Sequence, residues 1–344
     1  MSTRRIFPIK DYDLDATLTS GQAFRWRLHD GHWVGVIGGR WVALRLENPD
    51  SSSSSSSSSK NKKKSRKRTR TKDEDDGKVI VAQTAEPVSD WRWLTDYLQT
   101  EIDLGAVLAT FPDDEPMRAA VAACRGLRLL RQDPWECLAS FILSSTKQIV
   151  QIQQIVSLLC ERYGERVADG APASGTACSA FPLRPCHAGG RRSNETGAFS
   201  LGVSSFPSAA RIAALTEAGL RACKMGFRAP YLLGTARLID GGKLDLARLH
   251  KLTVEEARAE LIRLPGVGRK IADCVLLFAC GFQSAFPVDV WVMKALRQLY
   301  FPRRRPGLKR LHRFSETYFG PNAGYAQQYL FHYMRTKKKY SDAT

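Results

Sequence analysis

"LPGVGRK", residues 264–270, is the stretch on which the reading of this chain turns. Two glycines flank a valine, a basic pair follows, and the apolar run "IADCVLLFAC" (271–280) continues it. Glycines ahead of a lysine suggest a phosphate loop, but such a loop follows a strand and its lysine precedes Ser or Thr. Here the upstream segment "VEEARAELIRL" (254–264) has helical spacing, and Ile271 follows Lys270. The pattern instead predicts a helix–hairpin–helix over 255–280. Gly266 and Gly268 supply the tight turn and expose N–H groups at the start of a helix, where a DNA phosphate can sit without its sequence being read. Arg269 adds a cation beside that turn.

Lys270 has two readings. It is an ordinary basic residue near a phosphate, or its neutral amine is a nucleophile that attacks the anomeric carbon of a nucleoside and leaves a Schiff base. An ammonium cannot attack, so the second reading needs burial or a cationic neighbour. Nineteen residues on, in "AFPVDVWVMKALRQ" (285–298), stands Asp289. It fits the N-cap of the helix that follows, and it could equally stabilise oxocarbenium-like charge as a base departs. Capping would fix the carboxylate's position, so the two roles are compatible.

Outward from this motif the chain divides by periodicity. "QAFRWRL" (22–28), "HWVGVIG" (32–38), "RWVALRL" (40–46) and "KVIVAQTA" (78–85) read as strands broken by turns. Between the last two lies a Ser-, Lys- and Arg-rich insert, 50–77, whose composition cannot bury a core. From residue 90 the spacing is helical, apart from an irregular Gly/Ala/Ser/Pro-rich insert at 168–205. The expectation is an α+β chain, with an N-terminal antiparallel sheet over 1–89 and a mostly helical domain over 90–344.

The formal charge is +18. Residues 60–76 contribute a net +5 of it, leaving +13 on the rest, so the whole chain is basic and an anionic partner is expected. No apolar run approaches the roughly 20 residues of a spanning helix, and the start "MSTRRIFPIKDYD" has no signal-peptide core. The eight cysteines are scattered without a C-x-x-C pair or four-cysteine cluster, which predicts reduced thiols and no iron–sulfur site. Cys178, Cys186 and His187 match no standard zinc spacing. An intracellular protein is expected, nuclear in a eukaryote and cytoplasmic in a bacterium.

With "LPGVGRKIADC" followed by "PVDV", the chain resembles the helix–hairpin–helix base-excision DNA glycosylases, and among them the 8-oxoguanine DNA glycosylase/AP lyases. "TSGQAFRWR" (19–27), "LRLLRQDPWECLASFILSS" (127–145), "MGFRAPYL" (225–232) and "GPNAGYAQQYLF" (320–331) stand in the order that family shows, so the resemblance covers nearly the whole chain outside the two inserts. It implies removal of 8-oxoguanine from duplex DNA, then strand cleavage by β-elimination. By motif match Lys270 is the Schiff-base nucleophile and Asp289 the catalytic carboxylate. Gly21 offers the carbonyl that accepts the N7–H of the oxidised base, a group that normal guanine lacks. Gln327 and Phe331 hydrogen-bond and stack on the extruded base, and Cys274 lies near it. Phe227 is the wedge left in the helix and Arg228 contacts the widowed cytosine. The resemblance implies a monomer acting on 8-oxoguanine-containing double-stranded DNA, with no membrane and no cofactor, a monovalent cation at the hairpin being left open.

This chain also departs from the pattern. Thr146 replaces an asparagine that contacts the cytosine, Gln151 an arginine beyond it, and Trp291 a histidine near phosphate. The alternatives are a helix–hairpin–helix glycosylase of different base preference and a catalytically silent DNA-binding protein.

Overall fold

Residues 2–48, 77–168 and 204–341 are described by a computed structural model; nearly all of the two inserts, with Cys178, Cys186 and His187, lies outside them. Strand β1 (Ser2–Pro8) and helix α1 (Leu14–Thr19) precede β2 (Arg27–His29), β3 (His32–Ile37), β4 (Arg40–Glu47) and β5 (Val79–Val88). The strands form one antiparallel sheet in the order β1-β5-β4-β3-β2. Glu47 pairs with Val79, so the chain leaves and re-enters the sheet at facing residues.

Two features differ from the sequence expectation. The strand expected over 22–28 shrinks to Arg27–His29. Gln22 is fully buried, Ala23 and Trp26 join the core under the sheet, and Phe24 points into the helical core, so this segment threads between two cores and cannot alternate as a strand would. The edge strand β1, "STRRIFP", carries too little apolar alternation to be read, with Phe7 buried and Ile6 exposed.

The helices are α2 (Arg92–Leu98), α3 (Leu104–Leu108), α4 (Glu115–Ala123), α5 (Pro134–Leu143), α6 (Ile149–Tyr163), α7 (Ala209–Ala213), α8 (Glu217–Arg221), α9 (Ala229–Asp240), α10 (Val254–Ile262), α11 (Arg269–Val275), α12 (Val290–Ala295), α13 (Leu308–Tyr318) and α14 (Ala323–Ser341). Helices α11 and α12 each run on into a π-helical turn, Leu276–Cys280 and Leu296–Tyr300. The α+β expectation is met. Among the described residues no helix is long and apolar enough to cross a membrane.

Two apolar cores organise these elements. One lies under the sheet, where Phe7, Val42, Leu44, Ile80 and Ala82 meet Leu14 and Leu18 of α1 and Leu94 and Leu98 of α2. The other surrounds α5, whose residues from Cys137 to Leu143 are all buried. Asp133 caps α5 by accepting from the Glu136 N–H at 2.8 Å, and Pro134 opens its first turn. A polar seam joins the cores. Gln22 Nε2 donates to the carbonyls of Thr17 (2.9 Å) and Arg128 (2.8 Å), its Oε1 accepts from the Leu130 N–H (2.8 Å), and its own carbonyl accepts from Gln132 Nε2 (2.7 Å). Such a saturated buried network fixes the backbone on both sides of Gln22.

Candidate active site

Helices α10 and α11 are joined by the expected hairpin. Thr253 and Glu256 form a reciprocal cap at the start of α10. Gly266 has φ +75°, and a Cβ there would fall 2.7 Å from the Tyr231 side chain. Only glycine fits both constraints. Gly268, the N-cap of α11, is different: a Cβ there would meet nothing within 4 Å, so open space lies over the helix start. Arg269 turns inward along the hairpin's flank. Its guanidinium pairs with Glu316 of α13 and lies 3.7 Å from Asp273. Asp273 also accepts from Arg258 at 2.6 Å. Burial nonetheless pushes its carboxyl up to about 6.

Lys270 stands in the first turn of α11, half-buried. Its Nζ donates to Ser144 Oγ at 3.2 Å and lies 5.1 Å from the centre of the Phe141 ring. Ser144 is the C-cap of α5 and its hydroxyl donates to the Phe141 carbonyl at 2.7 Å, which leaves an oxygen lone pair for the lysine. The end of the central helix therefore holds the candidate nucleophile. Asp289 is the N-cap of α12, with Oδ1 accepting from the Val292 N–H at 2.8 Å. Burial raises its carboxyl above the usual range, against the lowering pull of that N–H, of Lys270 and of Arg335. Cys274, 3% exposed, lies one turn beyond Lys270. Burial pushes its thiol up to about 12, with Lys270 opposing and Asp289 reinforcing the shift, so it stays a neutral packing group. Lys270, Cys274 and Asp289 thus share one electrostatic neighbourhood.

The turn at Gly21 packs against the start of α6 and against α14. Gly21 has φ +81°, and a Cβ there would stand 2.8 Å from Ile149, 3.2 Å from Arg335 Nη1 and 3.4 Å from the Phe331 ring. Gln327, Phe331 and Arg335 recur every four residues and so share a face of α14. Gln327 is 4% exposed and its Oε1 has no hydrogen-bond partner, an orphan acceptor of the kind a ligand satisfies. Two residues here escaped the sequence reading. Gln22 pins the backbone beside Gly21, and Arg335 donates from Nη2 to the Thr19 carbonyl at 2.9 Å with its guanidinium 5.6 Å from the Phe331 ring centre. A glutamine inside an expected strand and an arginine past the motif carried no local signal.

The residues matched to the DNA strands divide in two. Phe227 is 52% exposed and stands edge-on to Tyr231. Arg228 is only 2% exposed, its guanidinium 4.2 Å from the Phe227 ring centre. It donates to the Ser145 carbonyl (2.8 Å from Nε) and to Thr146 Oγ1 (2.6 Å), so presenting it to a base would break these bonds. Thr146 has φ +56°, a left-handed conformation costly for a β-branched residue. Gln151 accepts from the Gln148 N–H at 3.1 Å and serves the start of α6, and Trp291 lies beneath Lys294. Among the described residues no cluster of His, Cys, Asp and Glu could hold a metal ion.

Residues 6–138 match the family model described as 8-oxoguanine DNA glycosylase, N-terminal domain. The chain is 30% identical over 346 residues to the N-glycosylase/DNA lyase OGG1 of Arabidopsis thaliana, covering 96% of this chain and 80% of that protein. It superposes on the Clostridium acetobutylicum 8-oxoguanine glycosylase/lyase in complex with double-stranded DNA containing cytosine opposite 8-oxoguanine, with TM-score 0.74 and 26% identity over 98% of this chain and 100% of that one. The structure of MBOgg1 in complex with a low-affinity DNA ligand matches with TM-score 0.77 and 27% identity, covering 98% and 97%. Similarity along nearly the full length leads to one conclusion: the chain belongs to the 8-oxoguanine DNA glycosylase family.

Proposed function

We propose that this protein is a bifunctional DNA glycosylase and AP lyase that excises 8-oxoguanine from duplex DNA in base-excision repair. The observation that carries the reading is the placement of Lys270 on Ser144 beside Asp289, in a family whose relatives are named for both activities. The target nucleotide leaves the helix, at a cost of a few kcal/mol offset by contacts in the pocket. Phe227, exposed and aromatic, fills the space it leaves. The base enters between Phe331 and Cys274, Gln327 pairs with its polar edge, and the Gly21 carbonyl accepts from N7–H. Guanine presents a lone pair at that atom and would be repelled.

The Lys270 amine attacks C1′ as the C1′–N9 bond breaks, and the proton the nitrogen sheds is taken up by the departing purine. Ionised Asp289 stabilises the positive charge that develops on the sugar. Opening of the sugar ring gives an imine between Nζ and C1′. Loss of a proton from C2′ then expels the 3′ phosphate oxygen, cutting the strand. The open N-terminus of α11 over Gly268 grips a neighbouring phosphate through backbone N–H groups.

Borohydride trapping on an 8-oxoguanine:cytosine duplex tests this. A covalent protein–DNA adduct is expected with the wild type and none with Lys270→Gln. Binding without an adduct in the wild type would refute the lyase step.

A further inference from the structure

Arg335 takes no step in the mechanism above, yet it packs beside Gly21 and Phe331. Its Nη2 is tied to the Thr19 carbonyl at 2.9 Å, while Nη1 is buried with no hydrogen-bond partner. That unpartnered nitrogen lies 3.2 Å from where a Cβ on Gly21 would be, with the Phe331 ring against the same spot. A buried guanidinium N–H left unsatisfied is costly, and burial already pulls the group below its usual range while Asp289 opposes that fall. The donor is held in place and waits for an acceptor.

The chemistry of the proposed substrate supplies one. Oxidation of guanine changes two adjacent atoms: N7 gains a hydrogen and becomes a donor, and C8 gains an oxygen and becomes an acceptor. A surface that reads both changes needs an acceptor and a donor side by side. We propose that Arg335 is a specificity-determining residue whose Nη1 N–H donates to the C8 oxygen of the lesion while the neighbouring Gly21 carbonyl accepts from N7–H. Undamaged guanine inverts both polarities, setting a lone pair against the carbonyl and a C–H against the cation. The inference rests on the reading of Gly21, Gln327 and Phe331 as the base pocket. Arg335 adds a second, independent point of discrimination to it.

The test compares wild type, Arg335→Leu and Arg335→Lys in two assays. One measures binding to duplexes carrying excision-resistant 2′-fluoro nucleotides, either 8-oxoguanosine or 7-deazaguanosine, opposite cytosine; the second base has C–H at positions 7 and 8. The other measures cleavage of a duplex with a preformed abasic site, which has no base to read. Loss of one charge-assisted hydrogen bond predicts that Arg335→Leu weakens 8-oxoguanine binding about tenfold or more. Binding to the 7-deazaguanine duplex and cleavage of the abasic duplex should stay at the wild-type level, and Arg335→Lys should recover part of the loss. Equal weakening on both bases, loss of abasic cleavage in Arg335→Leu, or undiminished 8-oxoguanine binding would each overturn the assignment. A wild type that does not prefer the 8-oxoguanine duplex to the 7-deazaguanine duplex would instead sink the pocket reading beneath it.

Discussion

Asp289 carries opposing demands at a single side chain. Burial raises its carboxyl above the usual range, while the chemistry assigned to it needs the ionised form. Excision should therefore be present above its folded-state pKa and fall as the pH drops through it, with the acid limb lying above the ordinary carboxylate value of about 3.9. A pH profile of single-turnover excision checks this, and a limb at or below the ordinary value would contradict it. Asp289→Asn keeps a good N-cap, so DNA binding should stay near normal while excision falls by about a hundredfold or more. Unchanged excision would remove the carboxylate from the mechanism. The N-cap role of Asp289 was legible because it is a local pattern, and so was the hairpin that carries Lys270. Arg335 and Gln22 were not, since their meaning depends on contacts some hundred to three hundred residues away. Thr146 departs from the family pattern in sequence, but its left-handed backbone, a conformation asparagine tolerates better, has no local sequence signal.

Among the elements, the hairpin separates what glycine does for the fold from what it does for a ligand. Gly266 combines positive φ with a Cβ position blocked by Tyr231, so Gly266→Ala should lower stability by about 2 kcal/mol. Gly268 has neither constraint, and Gly268→Ala should cost less than about 1 kcal/mol in folding. It should still weaken DNA binding, because the new methyl group occupies the open approach to the start of α11. Thermal unfolding beside DNA titration distinguishes the two variants; wild-type affinity in Gly268→Ala would rule out a phosphate clamp there. Helices were legible where caps and apolar spacing agreed, as in α5 with Asp133 and Pro134. Strand β1 escaped because its partner β5 begins some seventy residues later, and its own arginine-rich sequence carries little pattern. Arg269, read as a DNA contact, is held by Glu316 and Asp273, a pairing that needs α13 folded against α11.

For the whole molecule, the net charge of +18 means that DNA affinity should fall steeply with salt. With about six phosphates engaged, the loss between about 50 and 200 mM salt is roughly a thousandfold. A flat salt dependence in a binding titration would argue that the basic surface does not contact the backbone. The sheet-then-helices plan was legible because period-two and helical patterns occupy separate parts of the chain. The inserts were legible as composition, and the structure adds where they attach. Glu47 faces Val79 across a ladder, and Ser205 N–H donates to the Glu165 carbonyl at 2.8 Å. Each insert thus begins and ends at paired residues, so the described fold closes without it.

The Thr19 and Ser20 carbonyls accept from Arg335 and Gln328, so the turn before Gly21 is tied to a helix some three hundred residues away. This gives the site an order in time during synthesis. A nascent polypeptide extended as far as Asp289 already contains the lysine, its serine partner and the carboxylate, but none of the α14 wall. On the proposed roles, the chemical residues precede the helical wall of the base pocket in synthesis, but Tyr325, Tyr329 and Leu330 of α14 belong to the same buried core as Phe141 and Cys274, so the site is complete only once that helix has packed.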